Sequence, residues 1–279
     1  MRILTICFVI LLMLSGQTDA NDQSLEDIKI TLKLNSQSKI LLTGYIAPIG
    51  DVVSDTMKDW EELKNLRVAE SEKYYDASVF RDFLPNKPVS VGELWKVNPT
   101  GVITLLKQLH PKPNLELHNN AGDSRGLWAC LRAFNDLYAD IAFRIHAEFV
   151  MKEGWFTPSQ FTGHLIIKRD EEKVVFFEMY VPEGTVNFDV NRITPGATIS
   201  GVGFCPKMEL RTGMKNFPDN VKFSKHITQN AAERALILRF YKSQQINWVQ
   251  PDQVLDIVKA QQKPIHAISI NGPLFDESC

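Results

Sequence analysis

The sequence has no apolar run long enough to cross a bilayer. Its longest, Ile3 to Leu14, is broken only by Thr5 and falls short of the ~20 residues that a membrane helix needs. It also has no Gly-rich phosphate loop and no Gly-x-Ser-x-Gly elbow, which sets aside two common designs for handling nucleotides and esters. Positive charge is not in excess. Lys and Arg number 31 against 33 Asp and Glu, giving a net charge of −2 and a pI near 6.3. No basic field is therefore available for nucleic acid as the main partner. Cysteine is scarce, with four in 279 residues, so no disulfide framework carries the fold. Internal repeats, coiled-coil heptads and low-complexity tracts are missing, as are Asn-x-Ser/Thr sequons beyond residue 20.

What remains is an ordinary globular composition, 44% hydrophobic and 23% charged, which argues against overall disorder. A chain of this length buries roughly 70–75% of its unfolded surface and needs neither metal nor disulfide to hold a core. The N-terminus reads as a cleaved signal peptide over residues 1–20. Arg2 is the positive start, Ile3 to Leu14 the apolar centre, and Thr18-Asp19-Ala20 offers a small residue before the cut. Cleavage removes Arg2 and Asp19, so the net charge stays at −2, and removes Cys7, leaving Cys130, Cys205 and Cys279. Two outcomes stay open for the first pair: buried thiols in strands, or a disulfide, which needs Cα atoms within about 7 Å.

Ile28, Ile30, Leu32 and Leu34 alternate with Lys29, Thr31 and Lys33, the period of a half-buried strand. Residues 38–46 read as a second strand. Val53, Met57, Trp60 and Leu63 are spaced as one helix from Asp51 to Leu66, and Asn98-Pro99 opens another that stops at Pro111. Strands are expected at Leu127–Phe134, at Asp140–Val150 and at 197–210. Gly163–Lys168 and Lys173–Val181 form a hairpin through Arg169-Asp170-Glu171-Glu172. Residues 211–222 mark a domain boundary. Beyond it, Asn230 with Glu233 caps a helix, Ile246–Val249 is a short strand, Pro251-Asp252 starts a second helix, and 265–270 is a strand. Strand, helix and strand make a β-α-β unit with a right-handed crossover.

Two polar motifs fail on inspection. His146-Ala147-Glu148 is half the signature of a zinc nucleobase deaminase, but the paired thiolate ligands are missing. Alternation places Arg144, His146 and Glu148 on one polar strand face, where they can pair with one another. Asn187-x-Asp189-x-Asn191 mimics a calcium loop, yet Arg192 and Thr198 occupy the places of the required Gly and Glu. A strand-end turn is expected there. His110, His118, His164, His226 and His266 show no ligand spacing, and neither a metal site nor a bound cofactor is expected.

The final stretch, Lys263 to Cys279, reads as a buried strand, a break at Asn271-Gly272-Pro273 and then a cysteine. A thiol at a helix start is activated by the dipole and free N–H groups, and Cys279 is the candidate catalytic residue. Its GPLFDESC (272–279) resembles the redox motif of the selenoprotein N family, in which Ser-Cys is followed by selenocysteine and Gly. FRIHAEF (143–149) and WFTPSQFTGHLII (155–167) resemble the same family, and the similarity runs from about Leu127 to Cys279. The resemblance implies a thiol oxidoreductase of the secretory pathway, in the endoplasmic reticulum lumen or secreted, with redox protection linked to calcium homeostasis. It implies a selenocysteine directly after Cys279, a protein disulfide or peroxide as substrate, and Cys279 as resolving thiol. Selenocysteine is encoded by a codon that otherwise means stop, so the expectation is a chain truncated there and inactive by itself. The family's animal members carry a membrane anchor and an EF-hand. A short signal and no competent calcium loop look more like a soluble relative, periplasmic if bacterial.

The expected architecture is α+β. A β-rich domain with a few helices spans residues 21–220, and an incomplete thioredoxin-like β-α-β segment spans 221–279. The rival expectation is a non-enzymatic secreted module whose β-rich domain binds a protein partner. A chain cut at a strand would also leave a sheet edge prone to pairing.

Overall fold

Alternation makes the first strand-like stretch legible. Ile30, Leu32 and Leu34 are buried while Lys29, Thr31 and Lys33 face solvent, although pairing there is one bridge, Ile30 to Val89. The computed structural model describes residues 28–35, 39–49, 51–52, 57, 59–116, 126–183, 186–213, 217, 221–240, 249, 252–262 and 264–265. The signal segment 1–20 and Cys279 lie outside these residues. So do the two C-terminal strands of the expected β-α-β unit, apart from Val249 and Ile265.

The chain runs through β1 (Lys39–Ile46), β2 (Asp51–Val52), α1 (Glu61–Lys64), β3 (Glu72–Asp76), α2 (Ala77–Arg81) and β4 (Leu94–Lys96). Helix α3 (Pro99–Leu109) and β5 (Pro113–Asn114) follow. A run of strands comes next: β6 (Leu127–Phe134), β7 (Tyr138–Ile145), β8 (Glu148–Met151), β9 (Gly154–Pro158), β10 (Phe161–Lys168) and β11 (Lys173–Tyr180). After β12 (Phe188–Thr194), β13 (Ala197–Phe204), β14 (Met208–Thr212) and β15 (Lys225–His226) come α4 (Gln229–Phe240) and α5 (Val254–Gln261). No described helix is long and apolar enough to cross a membrane.

All pairings among the described strands are antiparallel. The larger sheet has the order β15-β6-β7-β10-β11-β14-β1-β3, with β4 on the same outer edge of β6 as β15, and the smaller has the order β2-β13-β12-β9-β8-β5. This is a β-rich α+β architecture, as the alternating patterns require. Several local expectations hold because local chemistry dictates them. Asn98 accepts a hydrogen bond from the Thr100 amide at 2.9 Å and Pro99 occupies the first turn, so α3 starts where the sequence places it. The 169–172 turn closes the β10–β11 hairpin with Glu172 in the left-handed region.

Other expectations are corrected. The single helix from Asp51 to Leu66 is instead the strand β2, a helical residue at Met57 and the short α1. Asp51 and Val52 find strand partners in Phe204 and Gly203, which outweighs helix periodicity. The strand read from Asp140 to Val150 breaks at His146-Ala147, and its two parts join different sheets. The strand read at 197–210 likewise splits around Cys205. Asp189 and Asn191 sit within β12 rather than in a turn. Helix α4 is capped by Thr228, whose Oγ accepts from the Ala231 amide at 3.2 Å, and not by Asn230.

One continuous core is shared by the two sheets. It holds Ile141, Phe143, Leu165 and Phe177 of the larger sheet, Phe149, Phe156, Phe188 and Val190 of the smaller, and Trp60, Phe80, Phe83 and Leu105. Each such ring is worth roughly 1.5–3 kcal/mol of burial. Gly163 is required here, since a Cβ would collide with the Glu178 carbonyl oxygen and the Phe143 ring. After residue 220 the chain returns to this body: β15 pairs with β6, and α4 lays Ala232 and Leu236 over Cys130 and Ala142 on the outer face.

Candidate functional site

The two blocks FRIHAEF and WFTPSQFTGHLII are the two arms of one structure. Ile145 pairs with Phe161 in the larger sheet and Phe149 with Phe156 in the smaller, so both arms swing between sheets side by side. Alternation continues through the bend. Phe143, Ile145, Phe149, Phe156 and Phe161 point into the core, and Arg144, His146, Gln160 and Thr162 share the opposite side. That side is dry: Arg144, His146, Gln160 and Glu148 are all buried. The Arg144 guanidinium donates to the Gln160 side-chain oxygen. Glu148 accepts from Asn114 at 3.0 Å. His146 Nδ1 and Gln160 Nε2 have no hydrogen-bond partner. Burial, with the Arg144 charge beside it, pushes the His146 imidazole down to about 4, so it is neutral near pH 7.

Beyond Arg144 and Thr162 this face opens into a cleft of about 720 Å³. Tyr180, Met208 and Glu209 form its floor with them, and Glu233 and Ile237 of α4 form one wall. Helix α4 reaches the bend at its far end, where Gly126 lies against the Phe240 ring; a Cβ at Gly126 would come within 2.5 Å of that ring.

Along the sheet from the cleft runs a ladder of alternating charge. Arg132 Nε donates to Asp140 Oδ2 at 2.6 Å, and Asp140 Oδ1 meets His164 Nδ1 at 2.8 Å. His164 stands opposite Glu178, and Glu178 opposite Arg211. Burial alone would raise the Asp140 carboxyl, but His164 and then Arg132 more than offset it and hold it below its ordinary range. Burial pushes His164 down, and the Asp140 charge and hydrogen bond overcome this, so its imidazole is raised. Glu178 is raised by burial. An imidazole whose Nδ1 is held by a buried carboxylate has Nε2 left for proton exchange, with orientation fixed. Sequence reading passed over Asp140 and Gln160 and found no ligand spacing for His164. The available signal was a polar residue inside an apolar strand. Only sheet register brings Asp140 and His164 together.

On the smaller sheet, burial raises Asp189 to about 7 despite hydrogen bonds from Thr157 and Asn191. Asn187 pairs with the Cys205 backbone, accepting from its amide at 2.7 Å and donating to its carbonyl at 2.8 Å. Cys130 and Cys205 are both free and buried, so the disulfide alternative is not formed. Burial pushes the Cys130 thiol up to about 11 and also raises Cys205, which leaves both as unreactive thiols. Among the described residues no group of three or more His, Cys, Asp or Glu side chains is placed to hold a metal ion.

No family model matches the chain, and no solved structure matches it. Among curated proteins, selenoprotein N of Danio rerio is 28% identical over 273 residues, covering 76% of this chain and 48% of that protein. Selenoprotein N of Mus musculus is 26% identical over 264 residues, covering 74% and 47%. Selenoprotein N of Homo sapiens is 27% identical over 259 residues, covering 72% and 43%. The chain spans about half the length of the curated relatives it matches.

Proposed function

The chain is selenoprotein N-like, and on that premise we propose that it belongs to a thiol–disulfide oxidoreductase of the secretory pathway. The observation that carries the proposal is the similarity to relatives named as selenoproteins, joined to the terminal GPLFDESC. Burial of Cys130 and Cys205 as protonated thiols leaves Cys279 to do thiol chemistry. In this reading a selenocysteine coded after Cys279 supplies the nucleophile toward a protein disulfide or a peroxide, and Cys279 is its resolving thiol. Location in the endoplasmic reticulum lumen, in the medium or, in a bacterium, in the periplasm belongs to the same proposal. So does a link to calcium homeostasis.

The test is a chain extended through the selenocysteine position, with cysteine placed there. It is expected to reduce a model disulfide, and Cys279→Ser is expected to lower that turnover to background. Equal activity in the Ser variant would overturn the assignment. A nucleotide sequence with no in-frame continuation after the Cys279 codon would remove the selenocysteine.

The second reading, a non-enzymatic module that binds a protein partner, is favoured by the cleft between α4 and the larger sheet. Its signature would be partner binding that survives Cys279→Ser and is lost when Ile237 and Met208 are replaced.

A further inference from the structure

We infer that the cleft between α4 and the larger sheet binds a short peptide by its two free ends, the carboxylate at Arg144 and the ammonium at Glu233. The floor is one row of the sheet, fixed by register. Arg144 stands opposite Thr162, Thr162 opposite Tyr180, and Tyr180 opposite Glu209. All four line the cleft. A cation therefore occupies one end of the row, two hydroxyls follow, and a carboxylate closes it. Burial raises the Tyr180 phenol, and the charges of Glu178 and Glu233 add to this, which puts Glu233 of α4 near the same far end. The phenol keeps its proton near neutral pH and can donate.

The Arg144 end is a built site. Arg144 and Thr162 are both buried, and the guanidinium is oriented by its hydrogen bond to the Gln160 side-chain oxygen. Gln160 is itself fully buried, and its Nε2 has no hydrogen-bond partner, so a further donor is in place beside the guanidinium. A planar guanidinium fork matches a carboxylate. At the other end Lys207 holds Glu209 at 2.9 Å, and Gln229 holds Glu233 at 2.7 Å.

Opposite charges at two ends select a molecule that carries both. A simple anion would satisfy Arg144 and meet two carboxylates farther along; a simple cation would do the reverse. A segment from the middle of a longer chain brings neither charge. Neighbouring strands lie about 4.8 Å apart, so the three steps from Arg144 to Glu209 span roughly 14 Å. An extended peptide of about three residues, at about 3.3 Å each plus its terminal groups, bridges them. Between the ends, Val181, Met208 and Ile237 give a side chain an apolar seat. The volume of about 720 Å³ lies within the ~300–1,000 Å³ usual for small-ligand sites. The inference rests on the binding reading of this cleft, narrows its ligand to a free peptide, and needs nothing from the redox reading.

The probe is the tripeptide Ala-Leu-Ala, titrated into the 279-residue chain by calorimetry. One-to-one binding is expected. Acetylating its N-terminus or amidating its C-terminus should each weaken binding roughly tenfold, the scale of one charge-assisted hydrogen bond. Glu233→Gln should weaken the free peptide by a similar factor and leave the acetylated one unaffected. Arg144→Gln should weaken the free peptide and spare the amidated one. If that variant fails to fold, Thr162→Val, close in shape and suited to a strand, tests the same end. No binding at any soluble concentration would overturn the inference. Equal binding of the doubly blocked peptide would also overturn it, while leaving the cleft to an internal segment of a partner protein. Equal weakening of free and acetylated peptide by Glu233→Gln would do so too, because the residue would then act only through the fold.

Discussion

The same three strands, β6, β7 and β10, carry two unlike faces. Inward, Phe143 stacks on Phe177 at 5.6 Å and meets Phe83 edge-on at 4.9 Å, in a core that depends on volume alone. Outward, Arg132, Asp140 and His164 form a chain in which each group is tolerable in a buried site because the next one is there. The inward face is insensitive to pH and intolerant of lost bulk. The outward face, where these charged groups meet, is intolerant of lost charge.

Phe143→Ala should show the largest effect, about 3–5 kcal/mol by denaturant unfolding, equal at pH 5 and pH 8. A pH-dependent loss would mean that the core face is not apolar throughout. Asp140→Asn should cost about 3 kcal/mol, because two cations keep their burial without the anion. Here the sign matters. His164 lies above its ordinary value of 6.5, so its contribution is complete below that pH and is lost as pH rises through the raised value. Asp140 lies below its ordinary value of 3.8, so its contribution is present above that pH and is lost as pH falls. The pair is at full strength between these limits, and the variant should lose most there. An unchanged His164 titration in Asp140→Asn, followed by NMR, would break the ladder.

The smallest effect concerns the bend. His146 is depressed from 6.5 to about 4, so its contribution is full above pH 6.5 and is lost as pH falls toward 4. This loss is on the order of 2 to 3 kcal/mol. His146→Leu should remove that part of the acid sensitivity. Equal acid sensitivity in variant and parent would show that the imidazole is hydrated.

Legibility in the sequence followed separation along the chain. The α3 start at Asn98-Pro99 and the 169–172 hairpin were readable because the groups involved are within four residues of one another. The polar side of Arg144 and His146 was readable from period-2 alternation. Its continuation as one strand was not, because nothing local says that two paired arms leave one sheet for another at His146-Ala147. Asp140 and His164 were unreadable as a pair, being 24 residues apart and joined only by strand register. Asp51 and Val52 were misread because a distant strand end outcompeted a helical spacing.

Composition and alternation by themselves determined a β-rich α+β chain and buried positions along several of its strands, while the resemblance to a known family rested on three blocks of sequence. Which polar groups meet and which thiols are sealed were decided only by the tertiary structure. The reason is physical. Periodicity records which side of a strand is dry, but hydrogen bonds and burial are set by neighbours that arrive from elsewhere in the chain, and a one-residue change of register would replace them all.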